Sequence, residues 1–171
     1  MPCTLGYRFF LRAGRLHMHT TMRSQDLWLG FCYDLFTATV LQELLAGWLG
    51  AELGEYRHHI DSLHLYQNDL AVASRLPDPA GPSPAMPPLG VDWDSFDALL
   101  QQVIAGLPVA NEGWAELSGV LASYRVWKVG DRVRARVLAA QTAGLLAHAL
   151  GRWYDHLERH ATPQAAKVAR R

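Results

Sequence analysis

A few residues near the start of the chain have side chains that could do chemistry. Cys3 is one of two cysteines and precedes a strand-like run, although a reactive group at a chain end would be poorly held. Arg23, Ser24 and Asp26 fall within "MRSQDLWLG", and arginine and serine are natural receptors for a phosphate or carboxylate. The alternative is an incidental cysteine and an ordinary surface pair between arginine and aspartate.

Eight histidines raise the question of a metal site. His17 and His19 would share one strand face, and His58, His59 and His64 lie close together along the chain. No HExxH or CxxC pattern and no carboxylate at ligand spacing accompanies them. We therefore expect no metal site and keep a metal-binding helical protein as an alternative, which elemental analysis of the purified chain would reveal.

Composition limits the classes of protein that the chain can represent. With 171 residues, 50% of them hydrophobic, we expect one main domain. The 16 basic and 16 acidic residues balance, so no global charge favours nucleic acid or a membrane surface. The two cysteines form no disulfide framework, and nothing resembles a signal peptide or an apolar span of about 18 residues. We expect a cytoplasmic protein.

The first third of the chain predicts a strand hairpin followed by a helix. Residues 5–11 and 15–22 are β-prone runs joined by "RAGR", where Gly14 can supply the positive φ of a tight turn. Residues 31–49 have apolar side chains at helical spacing on two neighbouring faces, so we expect this helix to be buried nearly all round. Cys32 would then be an inert core thiol. Asp34 would lie in the first turn, where a carboxylate complements the helix dipole.

After residue 50 the predicted secondary structure changes twice. "ELGEYRHHIDSLHLY" predicts an extended segment that joins the same sheet, with Gly54 at a bend or bulge. Residues 77–90 contain six of the nine prolines and form a linker. Three helical stretches follow, the last over residues 131–160, before a basic tail. We predict an α+β fold with segments 1–76, 77–90 and 91–171, the last of unknown role.

Several of these residues together resemble the thymidylate synthase and pyrimidine nucleotide hydroxymethylase superfamily. "PC", "RSQD", "LGFCYD" and "HLY" follow the superfamily pattern of "PC", then "QRS.D..LG.P.N", then "D.HLY". The spacing matches without a gap, with 20 residues from Cys3 to Arg23, 11 from Arg23 to Asp34 and 30 from Asp34 to His64. The resemblance covers about residues 1–70.

The resemblance implies a role for each matched residue. Cys3 would be the nucleophile that adds to C6 of a pyrimidine, and Asp26 would face the pterin of 5,10-methylenetetrahydrofolate or assist a proton transfer. The nucleotide-binding residues would be Arg23 and Ser24 at the phosphate, Asp34 at the base edge, and His64 and Tyr66 at the sugar hydroxyl. The superfamily also implies a mixed sheet with a buried helix, and a homodimer formed through the sheet.

Two departures from the superfamily pattern bear on activity. The nucleophilic cysteine normally lies near the middle of the chain, so this sequence resembles the C-terminal part of such an enzyme, and whether it is an enzyme stays open. The base-reading position is normally asparagine, but here it is Asp34. A carboxyl group can accept from N4 of cytosine and, when protonated, donate to N3, which favours hydroxymethylation of dCMP or CMP. Thymidylate synthesis from dUMP and an inactive dimerising remnant are the alternatives.

Overall fold

The computed structural model describes residues 2–76, 81 and 85–159. Contacts divide the chain into two compact units, one formed by Met1–Ala85 with Leu89–Phe96 and the other by Met86–Pro88 with Asp97–Arg171. The predicted division at residues 76 and 91 stays a prediction. The strands are β1 (Thr4–Arg12), β2 (Arg15–Met22), β3 (Gln25–Asp26), β4 (Glu52–Ile60) and β5 (Leu63–His64). The helices are α1 (Gly30–Trp48), α2 (Gln67–Ala73), α3 (Trp93–Ala105), α4 (Glu112–Lys128), α5 (Arg132–Gln141) and α6 (Leu145–Arg159).

The first unit is built on a three-stranded sheet in the order β1-β2-β4. β1 and β2 form the predicted antiparallel hairpin, and Gly14 takes the predicted positive φ, 75°. Ala13 also has a positive φ, 49°, so both central residues of the turn lie in the left-handed region. β2 alternates buried and partly exposed residues, which is the pattern of a strand covered on one face.

β4 runs parallel to β2, and α1 connects the two strands. Between the pairs Leu16↔Leu53 and Met18↔Tyr56, β4 contains one extra residue, so the predicted bulge at Gly54 is confirmed. A Cβ on Gly54 would lie 2.8 Å from the His17 ring and from the Leu16 carbonyl oxygen. The bulge therefore requires glycine for space.

β5 belongs to a different sheet from β4. Leu63–His64 pairs in parallel with Gln25–Asp26 to form a small two-stranded sheet. The prediction that "ELGEYRHHIDSLHLY" joins one sheet is correct for β4 and wrong for β5. The chain leaves the larger sheet at Asp61 and Ser62, and two-residue strands are too short to show a periodic pattern.

α1 packs one side against the sheet and leaves the other side exposed. Ala38, Leu44 and Ala46 are buried, and the buried Gln42 amide donates to the Leu16 carbonyl at 2.8 Å. The prediction that α1 is buried nearly all round is wrong, because a helix lying on one sheet face covers only part of its circumference. Cys32 is exposed and is not a core thiol. Tyr33 and Phe36 are exposed too.

The segment after the prolines returns to the second half of α1. The Glu43 carboxylate accepts hydrogen bonds from the backbone N–H groups of Leu89, at 2.5 Å, and Gly90, at 3.1 Å. The Trp48 ring meets those of Trp93 and Phe96 edge-on. Of the predicted linker, residues 77–80 and 82–84 lie outside the described residues.

The second unit is helical around an aromatic pair. The Trp127 and Tyr154 rings stack with centroids 3.9 Å apart, and Ala135, Ala139 and Leu150 complete the cluster. The buried Ser123 hydroxyl donates to the Ala135 carbonyl and shares a 2.8 Å hydrogen bond with the Tyr154 hydroxyl. The hydrogen bond between Ser123 and Tyr154 is thus a polar contact among the apolar side chains of this core.

The predicted single helical stretch over residues 131–160 is wrong in one respect, because it is two helices. α5 ends at Gln141 and α6 begins at Leu145, with Gly144 between them at a φ of 115°. The buried Glu116 carboxylate accepts from the Leu146 N–H and would collide with a Cβ on Gly144. His160 and the basic tail lie outside the described residues.

The architecture is the predicted α+β class, with a mixed sheet and a helical C-terminal region. The helices within residues 2–76 and 85–159 lack the combination of length and apolar content that crossing a bilayer requires.

Candidate functional site

Cys3 and Arg23 are brought together by the first strand pair. Cys3 lies immediately before β1 and is exposed, and its carbonyl oxygen accepts from the Arg23 backbone N–H at 3.0 Å. The Arg23 Nε also donates to the Pro2 carbonyl at 3.0 Å. Pro2 and Cys3 each accept one hydrogen bond from Arg23, so the segment that carries the cysteine is tied to a residue 20 positions after it.

Asp26 organises the approach to α1. Its carboxylate accepts from the backbone N–H groups of Trp28, Leu29 and Gly30 at 3.1, 3.0 and 3.2 Å. These bonds to Leu29 and Trp28, with a smaller contribution from the nearby His64, hold the pKa of the Asp26 carboxyl below its ordinary value, against a partial desolvation effect. Asp26 is thus an ionised anchor for the start of the helix.

His64 is placed beside Asp26 by the small sheet. Asp26 pairs with His64 in the β3–β5 register, and the Leu27 N–H donates to the His64 carbonyl at 2.8 Å. The His64 and Tyr66 rings meet edge-on with centroids 4.9 Å apart. Tyr66 follows β5 as the residue before α2, so the two rings lie together although only His64 is in a strand.

Asp34 lies in the second turn of α1, not the first. The helix begins at Gly30 and its first turn contains no acidic residue, so the interpretation of Asp34 as a helix-terminal charge is wrong. Its Oδ2 accepts a 2.9 Å hydrogen bond from the Gln25 side-chain amide. Gln25 is only 3% exposed. The Asp34 carboxylate therefore has a specific side-chain partner, the buried Gln25.

A group of polar side chains between β2 and β4 faces the same region. The Tyr56 hydroxyl contacts Thr20 Oγ1 at 3.0 Å and His58 Nδ1 at 2.6 Å, and His58 Nε2 lies 3.2 Å from the Met22 sulfur. Burial lowers the pKa of His58, and the negative charge of Asp34 opposes that change. Burial also raises the pKa of Tyr56, with a contribution from Asp34. Asp34 thus acts electrostatically on this group.

The described structure therefore links the predicted site residues in three local groups. Cys3 joins Arg23, Asp26 joins His64 and Tyr66, and Asp34 joins Gln25. Ser24 is half-buried, and along the chain it lies between Arg23 of the first group and Asp26 of the second. The catalytic and nucleotide-binding roles of these residues stay predictions.

Sequence reasoning overlooked Gln25 and Tyr56, and it considered His58 only as a member of a histidine cluster. Gln25 lies inside the quoted motif "RSQD", but its contact with Asp34 joins two different elements and no local pattern announces it. Tyr56 and His58 alternate with exposed charged residues along β4, which is a usable sign that they share the covered face. Among the described residues no group of three or more histidine, cysteine, aspartate or glutamate side chains could hold a metal ion.

The fold and these residues define an α+β protein in which Cys3 precedes β1, Arg23 follows β2, Asp26 ends β3 and Asp34 lies in α1. The family model described as "Thymidylate synthase" matches residues 1–92. This is more than half of the chain and includes every predicted site residue. The chain belongs to the thymidylate synthase family.

Individual relatives give the extent of the similarity. The chain is 37% identical over 65 residues to thymidylate synthase 1 of Bacillus subtilis, covering 38% of this chain and 23% of that protein. It is 33% identical over 67 residues to the thymidylate synthase of Symbiobacterium thermophilum, covering 39% and 24%. The solved thermostable thymidylate synthase A from Bacillus subtilis is 33% identical with a TM-score of 0.42, covering 43% of this chain and 26% of that one. The chain thus spans about a quarter of the length of the curated relatives it matches.

Proposed function

We propose that this protein takes part in folate-dependent one-carbon transfer to C5 of a pyrimidine nucleoside monophosphate, with a cytidine nucleotide as the preferred substrate. The observation that carries the proposal is the family match over residues 1–92, which contains all the proposed site residues. Hydroxymethylation of dCMP or CMP is the reaction that Asp34 favours. Methylation of dUMP is the enzymatic alternative, and the relatives named above are thymidylate synthases.

The nucleotide would be held from three sides. Arg23 and Ser24 would meet the phosphate, because a guanidinium and a hydroxyl can share the oxygens of one dianion. His64 and Tyr66, whose rings already touch, would bond the sugar hydroxyl. Asp34 would read the base edge. The contact between the rings supports a common role for the histidine and the tyrosine.

Asp26 fits the proposed contact with a reduced folate in one specific respect. Its two carboxylate oxygens offer about four acceptor positions, so three backbone hydrogen bonds leave about one for an N–H group of the pterin. The lowered pKa keeps the carboxylate ionised and therefore an acceptor. When bound, 5,10-methylenetetrahydrofolate supplies the one-carbon unit. Asp26 would orient the pterin, and its ionised state makes it a better acceptor than a proton donor.

Cys3 would start the chemistry as a thiolate. Addition of the sulfur to C6 of the pyrimidine forms a C–S bond and moves the electron pair to C5, which becomes nucleophilic. The exposure of Cys3 supports this role because a substrate can reach the sulfur. Cys32 is also exposed, so its exclusion as the nucleophile rests on its position outside the family's "PC" motif.

Exchange of the C5 hydrogen for deuterium tests the role of Cys3 without any folate. Reversible addition at C6 lets C5 take a deuteron from solvent, so incubating dCMP, CMP or dUMP with the chain in D2O should remove the H5 signal from the proton spectrum. We expect Cys3→Ser to abolish the exchange and Cys32→Ala to retain most of it. An equal loss in both variants, or exchange that persists in Cys3→Ser, would contradict the assignment.

We expect a cytoplasmic homodimer that binds neither nucleic acid nor membrane, in line with the balanced charge. An inactive dimerising remnant is the alternative from a different class. Nucleotide binding without any C5 exchange in the wild-type chain would favour that alternative.

A further inference from the structure

The side chain of Gln25 is fixed within the fold. Its backbone N–H donates to the Ser62 carbonyl at 2.9 Å, which ties β3 to the segment before β5. A Cβ on Gly30 would lie 2.9 Å from Gln25 Nε2, so the amide packs directly against the start of α1. Gln25 is 3% exposed, so the surrounding atoms restrict the position of its side chain.

The contact between Gln25 and Asp34 has a defined direction. The Gln25 Nε2 donates to Asp34 Oδ2 at 2.9 Å, so this oxygen acts as an acceptor and does not carry a proton toward the amide. Asp34 Oδ1 is the carboxylate oxygen that this bond leaves for another partner. The bond also restricts rotation of the carboxylate about its last side-chain torsion.

The oxygen of the Gln25 side-chain amide lies in an unusual environment. Gln25 Oε1 is buried with no hydrogen-bond partner within the described part of the chain, and such an acceptor is costly. The opposite amide orientation would turn Oε1 toward Asp34 Oδ2, which is favourable only if Asp34 is protonated. The observed orientation leaves Oε1 without a partner and directs the Nε2 donor at the Asp34 carboxylate.

We propose that Gln25 is a positioning residue for base recognition, which locks Asp34 so that Oδ1 faces the substrate as a fixed acceptor. Such an acceptor pairs with the exocyclic amino group of a 4-aminopyrimidine and repels the oxygen of a 4-oxopyrimidine. This inference rests on the proposed function. It assigns the discrimination to one contact at N4, whereas a protonated Asp34 would make a second contact at N3.

Nucleotide titrations of matched glutamine variants test the inference. Gln25→Leu removes the donor at nearly constant volume, and Gln42→Leu makes the same change at another buried glutamine whose amide bonds only backbone carbonyls. Affinities for CMP and UMP, and for dCMP and dUMP, are measured by calorimetry on the whole chain. We expect the preference for the cytidine nucleotide to fall by roughly tenfold in Gln25→Leu and to stay within about twofold of wild type in Gln42→Leu.

Gln25→Glu provides a second variant in case Gln25→Leu does not fold. A glutamate there can donate to Asp34 only when it carries a proton, and a neighbouring carboxylate favours that proton. The cytidine preference should therefore be weak at neutral pH and rise as the pH falls toward about 5.5, while that of the wild type changes less. Thermal unfolding of each variant checks that it is folded.

The outcomes separate the two proposals. A wild-type chain that binds no pyrimidine nucleotide, or binds cytidine and uridine nucleotides equally, overturns the proposed function and this inference together. A wild-type preference for cytidine that Gln25→Leu retains within twofold overturns this inference alone. An equal loss of preference in Gln25→Leu and Gln42→Leu also overturns it, because the effect would then reflect general packing.

Discussion

At the scale of single residues, Asp26 combines a structural and a proposed ligand-binding role. Three backbone N–H groups at the approach to α1 hold its carboxylate, and the helix that they start carries Asp34 one turn later. The substitution of Asp26 therefore tests the construction of the site independently of any substrate.

Replacement of Asp26 should make the free energy of unfolding of the chain less dependent on pH. The pKa of its carboxyl is below the ordinary value of 3.8 in the folded chain, so its stabilising effect is present above about pH 4 and is lost as the pH falls through the folded-state pKa. Asp26→Ala should therefore unfold at lower urea concentration than wild type at neutral pH, and the difference should shrink as the pH falls below 3.8 and through the folded-state pKa. Asp97→Ala is the control, because Asp97 is an exposed aspartate in α3. A difference that stays constant over the whole pH range would contradict this account.

At the scale of elements, the bulge in β4 determines which side chains face α1. The extra residue at Gly54 and Glu55 shifts the register so that Tyr56 lies opposite Met18 and His58 opposite Thr20. Both Tyr56 and His58 then join the polar group near Asp34. The His17 ring receives the Glu55 N–H at 3.0 Å on its Nδ1 and closes the space above Gly54.

Gly54→Ala should destabilise the chain by about 1–3 kcal/mol, because the methyl group would overlap the Leu16 carbonyl and the His17 ring. Gly6→Ala in β1 is a matched control, since a Cβ there meets nothing within 4 Å, and its effect should stay within about 0.5 kcal/mol. Urea unfolding of the three proteins measures both changes. Equal effects of the two substitutions would show that the bulge does not need glycine.

The elements also show which features the sequence could predict. The hairpin turn at Gly14, the bulge at Gly54 and the existence of α1 follow from local chemistry and periodicity. The exposed side of α1 could not be predicted, because an apolar helix pattern does not reveal how much of its surface the rest of the fold covers. The pairing of β3 with β5 and the contact of Gln25 with Asp34 join distant residues through very short elements. Helical spacing likewise continued through Gly144, where the chain turns.

At the scale of the whole molecule, the sheet of the first unit leaves an apolar row uncovered. Tyr7, Phe9 and Leu11 of β1 pair with the buried residues of β2 yet remain 45%, 39% and 60% exposed. Adjacent exposed apolar side chains at a sheet edge are typical of a surface that another chain covers. The proposed homodimer would cover this surface.

Sedimentation of the purified chain tests the homodimer. We expect the wild type to sediment as a dimer and Leu11→Glu to shift it toward monomer by at least tenfold in dissociation constant, since a charge would be buried without a partner. Leu70→Glu, at a leucine of similar exposure in α2, should leave the dimer unchanged. A monomeric wild type, or equal shifts in the two variants, would contradict the proposal.

Titration of dCMP, CMP and dUMP into the wild-type chain and into Asp34→Asn shows whether Asp34 reads the base. We expect the wild type to bind a cytidine nucleotide more tightly than dUMP, and Asp34→Asn to reverse this order by roughly one to two orders of magnitude, because an amide supplies the donor and acceptor that uracil needs and leaves cytosine unpaired. If the wild type binds dUMP at least as tightly as both cytidine nucleotides, Asp34 does not read cytosine, and the function is thymidylate synthesis or that of an inactive remnant.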